Sequence, residues 1–302
     1  MSPRDAALAA MTSVIWGLGF VAAKLGLESF SAPQLTALRF LLASLFVFVV
    51  PAPRIGWWAL VLIGLTLFTG QFLLLFLSLT LGMPPGLASI THQTQAFFTV
   101  LLAALFLGDV PTRKQSAGMT IAFGGLGLIA VTTGPDLDLA TLALALGGAL
   151  SWAIGNVLVK CSQGAAIFSL VVWASLVPPL PSLILSVLDG RSASLASALG
   201  HASWWSLGAV VYLGLVATVI AYATWGDLLR RYPAGAVAPF ALLAPCVGVV
   251  ASAAVFGEVF SPTRSAGMAL ILAGLAVVVG PGANPSRRPE SSGTRRAASD
   301  RS

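Results

Sequence analysis

Between residues 6 and 281 the chain passes through ten apolar segments separated by brief polar or Pro/Gly-rich breaks, and this succession constrains the fold more than any other feature. The segments lie at roughly 6 to 27, 33 to 50, 57 to 81, 85 to 107, 115 to 133, 139 to 160, 165 to 187, 204 to 230, 234 to 256 and 263 to 281. A helix needs about 20 mainly apolar residues to cross the hydrocarbon core. Lipid offers no hydrogen bonds, so such segments satisfy their backbone internally, as helices. The expectation is therefore an all-α integral membrane protein with ten transmembrane helices. Composition agrees: 57% of the 302 residues are hydrophobic and 9% charged, against about 25% charged in an ordinary soluble domain. Short breaks such as Gly82 to Pro84 predict antiparallel neighbours, while Leu188 to Ser203 is a longer connection.

Lys and Arg set the expected orientation. With a cytoplasmic N-terminus, the inner loops and ends hold Arg4, Arg54, Arg113, Lys114, Lys160, Arg230, Arg231 and five arginines of the tail. The outer loops hold only Arg191 and Arg264, so both termini of a multi-pass protein are expected in the cytoplasm. Basic residues spread in this way argue for topology and against nucleic acid as a partner. The first segment does not read as a cleaved signal, since Asp5 cancels Arg4 and its motif recurs downstream. Residues 282 to 302, rich in Pro, Ser and Arg, form a basic cytoplasmic tail expected to be disordered. Cys161 and Cys246 have no metal or redox spacing, and no cofactor or metal is expected.

The sequence also repeats. Trp16 to Lys24, WGLGFVAAK, matches WAIGNVLVK from Trp152 to Lys160 at an offset of 136. Phe106 to Asp109, FLGD, and SAGM at Ser116 to Met119 match VFGE at Val255 to Glu258 and SAGM at Ser265 to Met268 at an offset of 149. Trp57-Trp58 matches Trp204-Trp205 at 147. Two five-helix units follow, residues 1–134 and 135–281, and because five is odd the second enters the membrane inverted. Inverted repeats build secondary transporters with a substrate site near the midplane.

These features, with WGLGF at Trp16 to Phe20 and LRF at Leu38 to Phe40, resemble the EamA family of the drug/metabolite transporter superfamily. GMPPGLASITHQTQAFFT, Gly82 to Thr99, and RYPAGAVAPFALLAPCVG, Arg231 to Gly248, are similar to bacterial exporters of amino acids and their metabolites, the O-acetylserine/cysteine type among them. The resemblance implies a transporter that exports such small molecules.

Candidate site residues come from the few polar groups at depth. On a helical wheel from Ser89, Thr91, Gln95, Thr99 and His92 fall at roughly 200°, 240°, 280° and 300°, one arc of about 100°. An unpaired amide in hydrocarbon costs several kcal/mol, so this arc is read as a cavity wall, with bonding between helices as the alternative. Thr94 points elsewhere. Gln71, Thr218 and Tyr222 lie at similar depth, and Trp16, Trp152 and Trp173 are wall or core residues. Asn156 replaces Phe20 in the repeat. Arg39, a charge inside the second segment, either snorkels outward or meets a substrate carboxylate. Lys24 is expected to snorkel. Gly118, Gly124, Gly125, Gly127, Gly267 and Gly274 suggest close helix approach.

No Asp or Glu lies deep in a segment, and His92 is the buried group able to titrate near neutral pH. The expected mechanism is alternating access between repeats, with export down the substrate gradient or coupled through His92. A facilitative uniporter or exchanger of aromatic amino acids or other small amphiphilic metabolites is the alternative, with a membrane enzyme and a receptor or channel as further readings. The expected partners are a small amino acid or metabolite and the bilayer; a monomer is plausible. Phe240 to Ala244, opposite THQTQ in the repeat, is apolar, which suits a substrate with one polar and one apolar end.

Overall fold

The computed structural model describes residues 1–132, 137–162, 166–190 and 193–279, and these form a helical bundle. The expected boundary at residue 134, Arg191 and the basic tail lie outside the described residues. The principal helices are α1 (Pro3–Gly26), α2 (Ala32–Phe48), α3 (Trp57–Thr80), α4 (Pro85–Leu107), α5 (Arg113–Ala130), α6 (Leu139–Cys161), α7 (Ile167–Asp189), α8 (Trp204–Arg231), α9 (Ala238–Phe256) and α10 (Pro262–Val279). A short helix, Leu195–His201, lies within the long connection. Eight of these helices are long and apolar enough to cross a membrane. The other two fall short for local reasons. The α-helical part of α2 ends at Ser44 and tightens into a 3₁₀ turn over Leu45–Phe48. The 18 residues of α5 open on Arg-Lys-Gln.

Helix starts follow from side chains that occupy the free N–H groups of the first turn. Ser31 and Gln34 form a capping box at α2, and Thr112 and Gln115 another at α5. Gly108 and Gly257, repeat equivalents, end α4 and α9 with φ of 69° and 67°, a left-handed turn that a side chain would strain.

The bundle has an apolar exterior. Leu105, Phe106, Leu180 and Val250 are exposed, whereas Arg39, Gln71 and His92 are at most 5% exposed. That distribution is the one expected in lipid, where polar groups turn inward. Lys24 does not extend freely as expected: its Nζ donates to the Leu79 carbonyl at 3.0 Å, capping the end of α3.

α1 packs on α9, α6 on α3 and α4, α2 on α7 and α8, and α5 on α10. At the α5/α10 contact the backbones approach closely. A Cβ on Gly118, Gly125, Gly267 or Gly274 would lie 2.4 to 2.7 Å from the facing carbonyl of Gly274, Gly267, Gly125 or Gly118 respectively. Gly124 and Gly127, which the sequence grouped with them, face open space. The 3.6-residue period separates the two sets, so four of the six glycines serve the contact and two do not.

Two helices carry π-helical stretches, α3 at Gly64–Gly70 and α8 at Tyr212–Ile220. 3₁₀ segments interrupt α4 at His92–Thr94 and open α9 at Ala238–Leu242. A π turn moves carbonyls out of the regular ladder, and in an apolar medium they need partners. Ser151 Oγ of α6 donates to the Thr66 carbonyl at 2.7 Å, and the Trp16 indole of α1 donates to the Ala217 carbonyl at 3.1 Å. Thr69 and Thr218 hydroxyls donate five residues back, to Gly64 and Leu213.

Gly125→Leu is expected to force α5 from α10 and lower stability by about 1–3 kcal/mol, as overpacking does. Gly124→Leu, on the open face, is expected to leave the melting temperature of the detergent-purified protein unchanged. Equal effects of the two would contradict the packing described.

Candidate functional site

The polar residues of the interior assemble into two clusters. The first is built around α4 and α6. Gln71 Nε2 lies 3.1 Å from His92 Nε2 and donates to it in the tautomer that carries the ring proton on Nδ1. The ring packs against Trp152 at 5.0 Å and edge-on to Phe20 at 6.1 Å. Gly148 leaves the space beside His92, since a Cβ there would come within 3.7 Å of its Cε1. Among the described residues, His92 Nδ1 and Thr91 Oγ1 are buried with no hydrogen-bond partner.

One turn further along α4, Asn156 Nδ2 donates to Gln95 Oε1 at 2.9 Å and to Thr99 Oγ1 at 3.2 Å. The Thr99 hydroxyl itself donates back to the Gln95 carbonyl at 2.7 Å. The wheel puts His92 and Gln95 on one arc, and the helix is 3₁₀ between them. A 3₁₀ turn advances about 120° per residue rather than 100°, which brings residues three apart closer to one direction. Both meet α6, His92 through Trp152 and Gln95 through Asn156 one turn further on, and His92 also meets α3 through Gln71. Thr94 is buried and donates to the Thr91 carbonyl.

The second cluster surrounds Arg39. This residue does not snorkel: it is 5% exposed, its Nε donates to Thr218 Oγ1 at 3.1 Å, and its guanidinium lies over the Phe72 ring at 3.9 Å, with Phe40 at 5.3 Å. Among the described residues no carboxylate lies within ion-pair distance of it. Cation–π contact offsets part of the desolvation, about 2 kcal/mol when dry. That is well short of the several kcal/mol needed to bury a charge. Gly214 permits the approach of α8 to α2, because a Cβ there would lie 2.8 Å from the Arg39 carbonyl.

Trp16 packs on Tyr222 at 5.3 Å and Trp225 at 5.1 Å, and the Tyr212 hydroxyl donates to the Ile15 carbonyl at 2.7 Å. Trp173 is placed elsewhere. Its indole donates to the Val50 carbonyl, eleven residues beyond Arg39 and so roughly 16 Å along a helix. A surface cleft of about 450 Å³ lies between α7 and α8, against Ile167, Phe168, Gly226 and Asp227, and neither Arg39 nor His92 lines it.

Phe72, Phe40, Phe20, Tyr212 and Trp225 were not among the site residues expected from the sequence. Trp225 follows Tyr222 at the i, i+3 spacing that puts two side chains on one helix face, a signal that could have found it. Phe72 carries no such mark, because apolar residues surround it in α3.

The model of the EamA-like transporter family matches residues 5–131 and 139–280. The chain is 38% identical to a probable amino-acid metabolite efflux pump of Salmonella typhimurium and 37% identical to one of Escherichia coli, in each case over 92% of this chain and 96% of the other. A probable terminal-alkyne amino-acid exporter of Streptantibioticus cattleyicolor is 28% identical over 89% of this chain and 91% of that one. A solved crystal structure with a TM-score of 0.60 and 20% identity, covering 92% of this chain and 97% of the other, shares the fold.

Asn156→Leu is expected to leave the Gln95 amide carbonyl without its donor and destabilise the protein by about 1–3 kcal/mol. Adding Gln95→Leu to it is expected to recover part of that loss. A double-mutant cycle on melting temperature checks the coupling, about 0.6 to 1.7 kcal/mol for such pairs in membranes; strict additivity would contradict the contact.

Proposed function

The chain belongs to the EamA-like transporter family, and from that premise we propose that it is a secondary transporter exporting carboxylate-bearing amino-acid metabolites across the bacterial inner membrane. As a member of a transporter family with relatives named as efflux pumps, it is not an enzyme. Arg39 is the observation that carries the substrate class. It is a permanently charged group, buried in the bundle on an aromatic face, with one hydroxyl partner and no counter-ion among the described residues. A substrate carboxylate supplies the missing charge and the bidentate hydrogen bonds a guanidinium fork is shaped for. Trp16, Tyr222 and Thr218 complete this end of the site. Thr91, His92, Gln71, Trp152 and the Gln95–Asn156–Thr99 group form its other polar wall, and Trp173 supports the end of α2.

We read the ten helices as ten spans in two inverted five-helix units, residues 1–134 and 135–281, with both termini cytoplasmic. Matching defects support this. The π stretch of α3, shifted by the repeat offset of 147, overlaps that of α8, and the 3₁₀ turn of α4, shifted by 149, overlaps that opening α9. The glycine contact is its own mirror image: shifting Gly118 and Gly125 by 149 gives Gly267 and Gly274, and the pairs 118–274 and 125–267 interchange. Rocking of one unit against the other about this contact gives alternating access.

The aromatic group of Trp16, Tyr222 and Trp225 favours a second reading, a facilitative carrier of aromatic amino acids. Coupling then distinguishes the two, with His92 as the proton-binding candidate.

In counterflow with labelled amino acids in proteoliposomes, Arg39→Gln is expected to raise the half-saturation concentration at least about 30-fold, the effect of about 2 kcal/mol for removing one partner of a buried charge pair. Methyl esters of the same substrates are expected to be insensitive to it. Acids and esters affected alike would remove the carboxylate reading.

His92→Ala is expected to abolish any stimulation of flux by an imposed pH gradient and to leave gradient-free exchange in place. A wild type that ignores the gradient would leave His92 with a positioning role through Gln71 and Trp152, and would favour the facilitative carrier.

A further inference from the structure

Four charged residues at the bundle ends stand outside the substrate site, and the repeat relates them in pairs. Lys24 and Lys160 are equivalent at the offset of 136, and Asp109 and Glu258 at 149. Each acid follows the end of its helix, α4 or α9, and each lysine lies near the end of its own, α6 or α1. α4 packs on α6, and α9 on α1. Both contacts therefore join one five-helix unit to the other, at opposite ends of the bundle.

The two pairs are in different states. Lys160 Nζ and Asp109 form an ion pair, about half exposed on both sides. Lys24 and Glu258 do not pair. Lys24 Nζ donates to the Leu79 carbonyl at 3.0 Å, and Glu258 Oε2 accepts from the Gly86 N–H, in the first turn of α4, at 3.1 Å. Glu28, one turn after Lys24, is exposed. Burial raises the Glu258 carboxyl above its ordinary range, and the Lys24 charge is close enough to oppose that shift.

We propose that Lys160–Asp109 and Lys24–Glu258 are the two alternating latches of the transport cycle, the first closing the cytoplasmic face as in this structure and the second closing the outer face when the units rock. The inference rests on the alternating-access reading. It adds the residues that bridge the units. Glu258 exchanges the Gly86 N–H for Lys24, and Lys24 releases the Leu79 carbonyl. Rocking that brings α9 and α1 together at the outer end separates α4 from α6 at the inner end, so both latches cannot be closed at once. Energetics suit the role at the cytoplasmic end, because an ion pair this exposed is weak and screened by solvent. Such a contact biases a conformation without trapping it.

The test uses the full-length protein with Cys161→Ser and Cys246→Ala, carrying cysteines at 24, 258, 109 and 160 and a short bifunctional thiol cross-linker. Closing the 109–160 pair first is expected to lower the cross-linking yield of the 24–258 pair at least about tenfold relative to the protein with the 24–258 cysteines alone. Independent yields at the two ends would overturn the proposal. This readout needs no substrate, so exclusion between the pairs in a protein that fails counterflow would sink the carboxylate reading alone. If the four-cysteine protein does not fold, charge exchange replaces it: Asp109→Lys with Lys160→Asp is expected to recover at least half of the counterflow that either single change loses, as is Lys24→Glu with Glu258→Lys. No recovery in either exchange would equally overturn it.

Discussion

Every backbone carbonyl released from a helix inside hydrocarbon must find a donor, and the rest of this structure depends on how that requirement is met. Regular helices meet it alone, but π stretches in α3 and α8 do not. Their loosened carbonyls are met from neighbouring helices, Thr66 by Ser151 of α6 and Ala217 by Trp16 of α1. Ser151 and Trp16 occupy adjacent places in the repeat, so one structural problem has been solved from neighbouring helix positions by different chemistry. Gln71 directly follows the π stretch of α3, and Thr218 lies within that of α8. These residues are equivalent at the offset of 147, and each meets a buried polar residue from the first half of the chain, Gln71 meeting His92 and Thr218 meeting Arg39.

That equivalence explains how a repeated scaffold holds a one-sided site. Thr218 is small and supports a guanidinium on the Phe72 face, while Gln71 is long and reaches an imidazole. Asn156, where the first unit has Phe20, adds a donor that joins Gln95 and Thr99. The opposing 3₁₀ segment in α9, Ala238–Leu242, carries no polar side chain at all. A metabolite with a carboxylate at one end and an apolar or aromatic portion at the other matches this division of the interior.

Much of this was legible in the sequence, and the failures are instructive. Apolar runs located the helices, and SAGM at two places foretold glycines at the α5/α10 contact. The 3₁₀ turn at His92–Thr94 is invisible to a wheel that assumes 100° per residue, although it leaves His92 and Gln95 both facing α6. The sequence grouped Gly124 and Gly127 with the contact glycines although they face open space, since spacing cannot tell which face of a helix meets a neighbour. Arg39 stood between snorkelling and burial because both are compatible with its depth; Phe72, Phe40 and Thr218 decide it, and they come from other parts of the chain or from its own apolar run.

The sequence by itself therefore determined that the chain is a bundle of membrane helices with an internal repeat and a few polar residues at depth. It could do so because a helix in lipid is a local solution: hydropathy and length specify it within one segment, and the repeat is written residue by residue. Only the tertiary structure decided which polar groups meet. Arg39 and Thr218 are 179 residues apart, Trp16 and the carbonyl it caps 201, and Asn156 and Gln95 61. Those pairings depend on how helices are packed and where their turns tighten or widen, and a linear pattern carries neither.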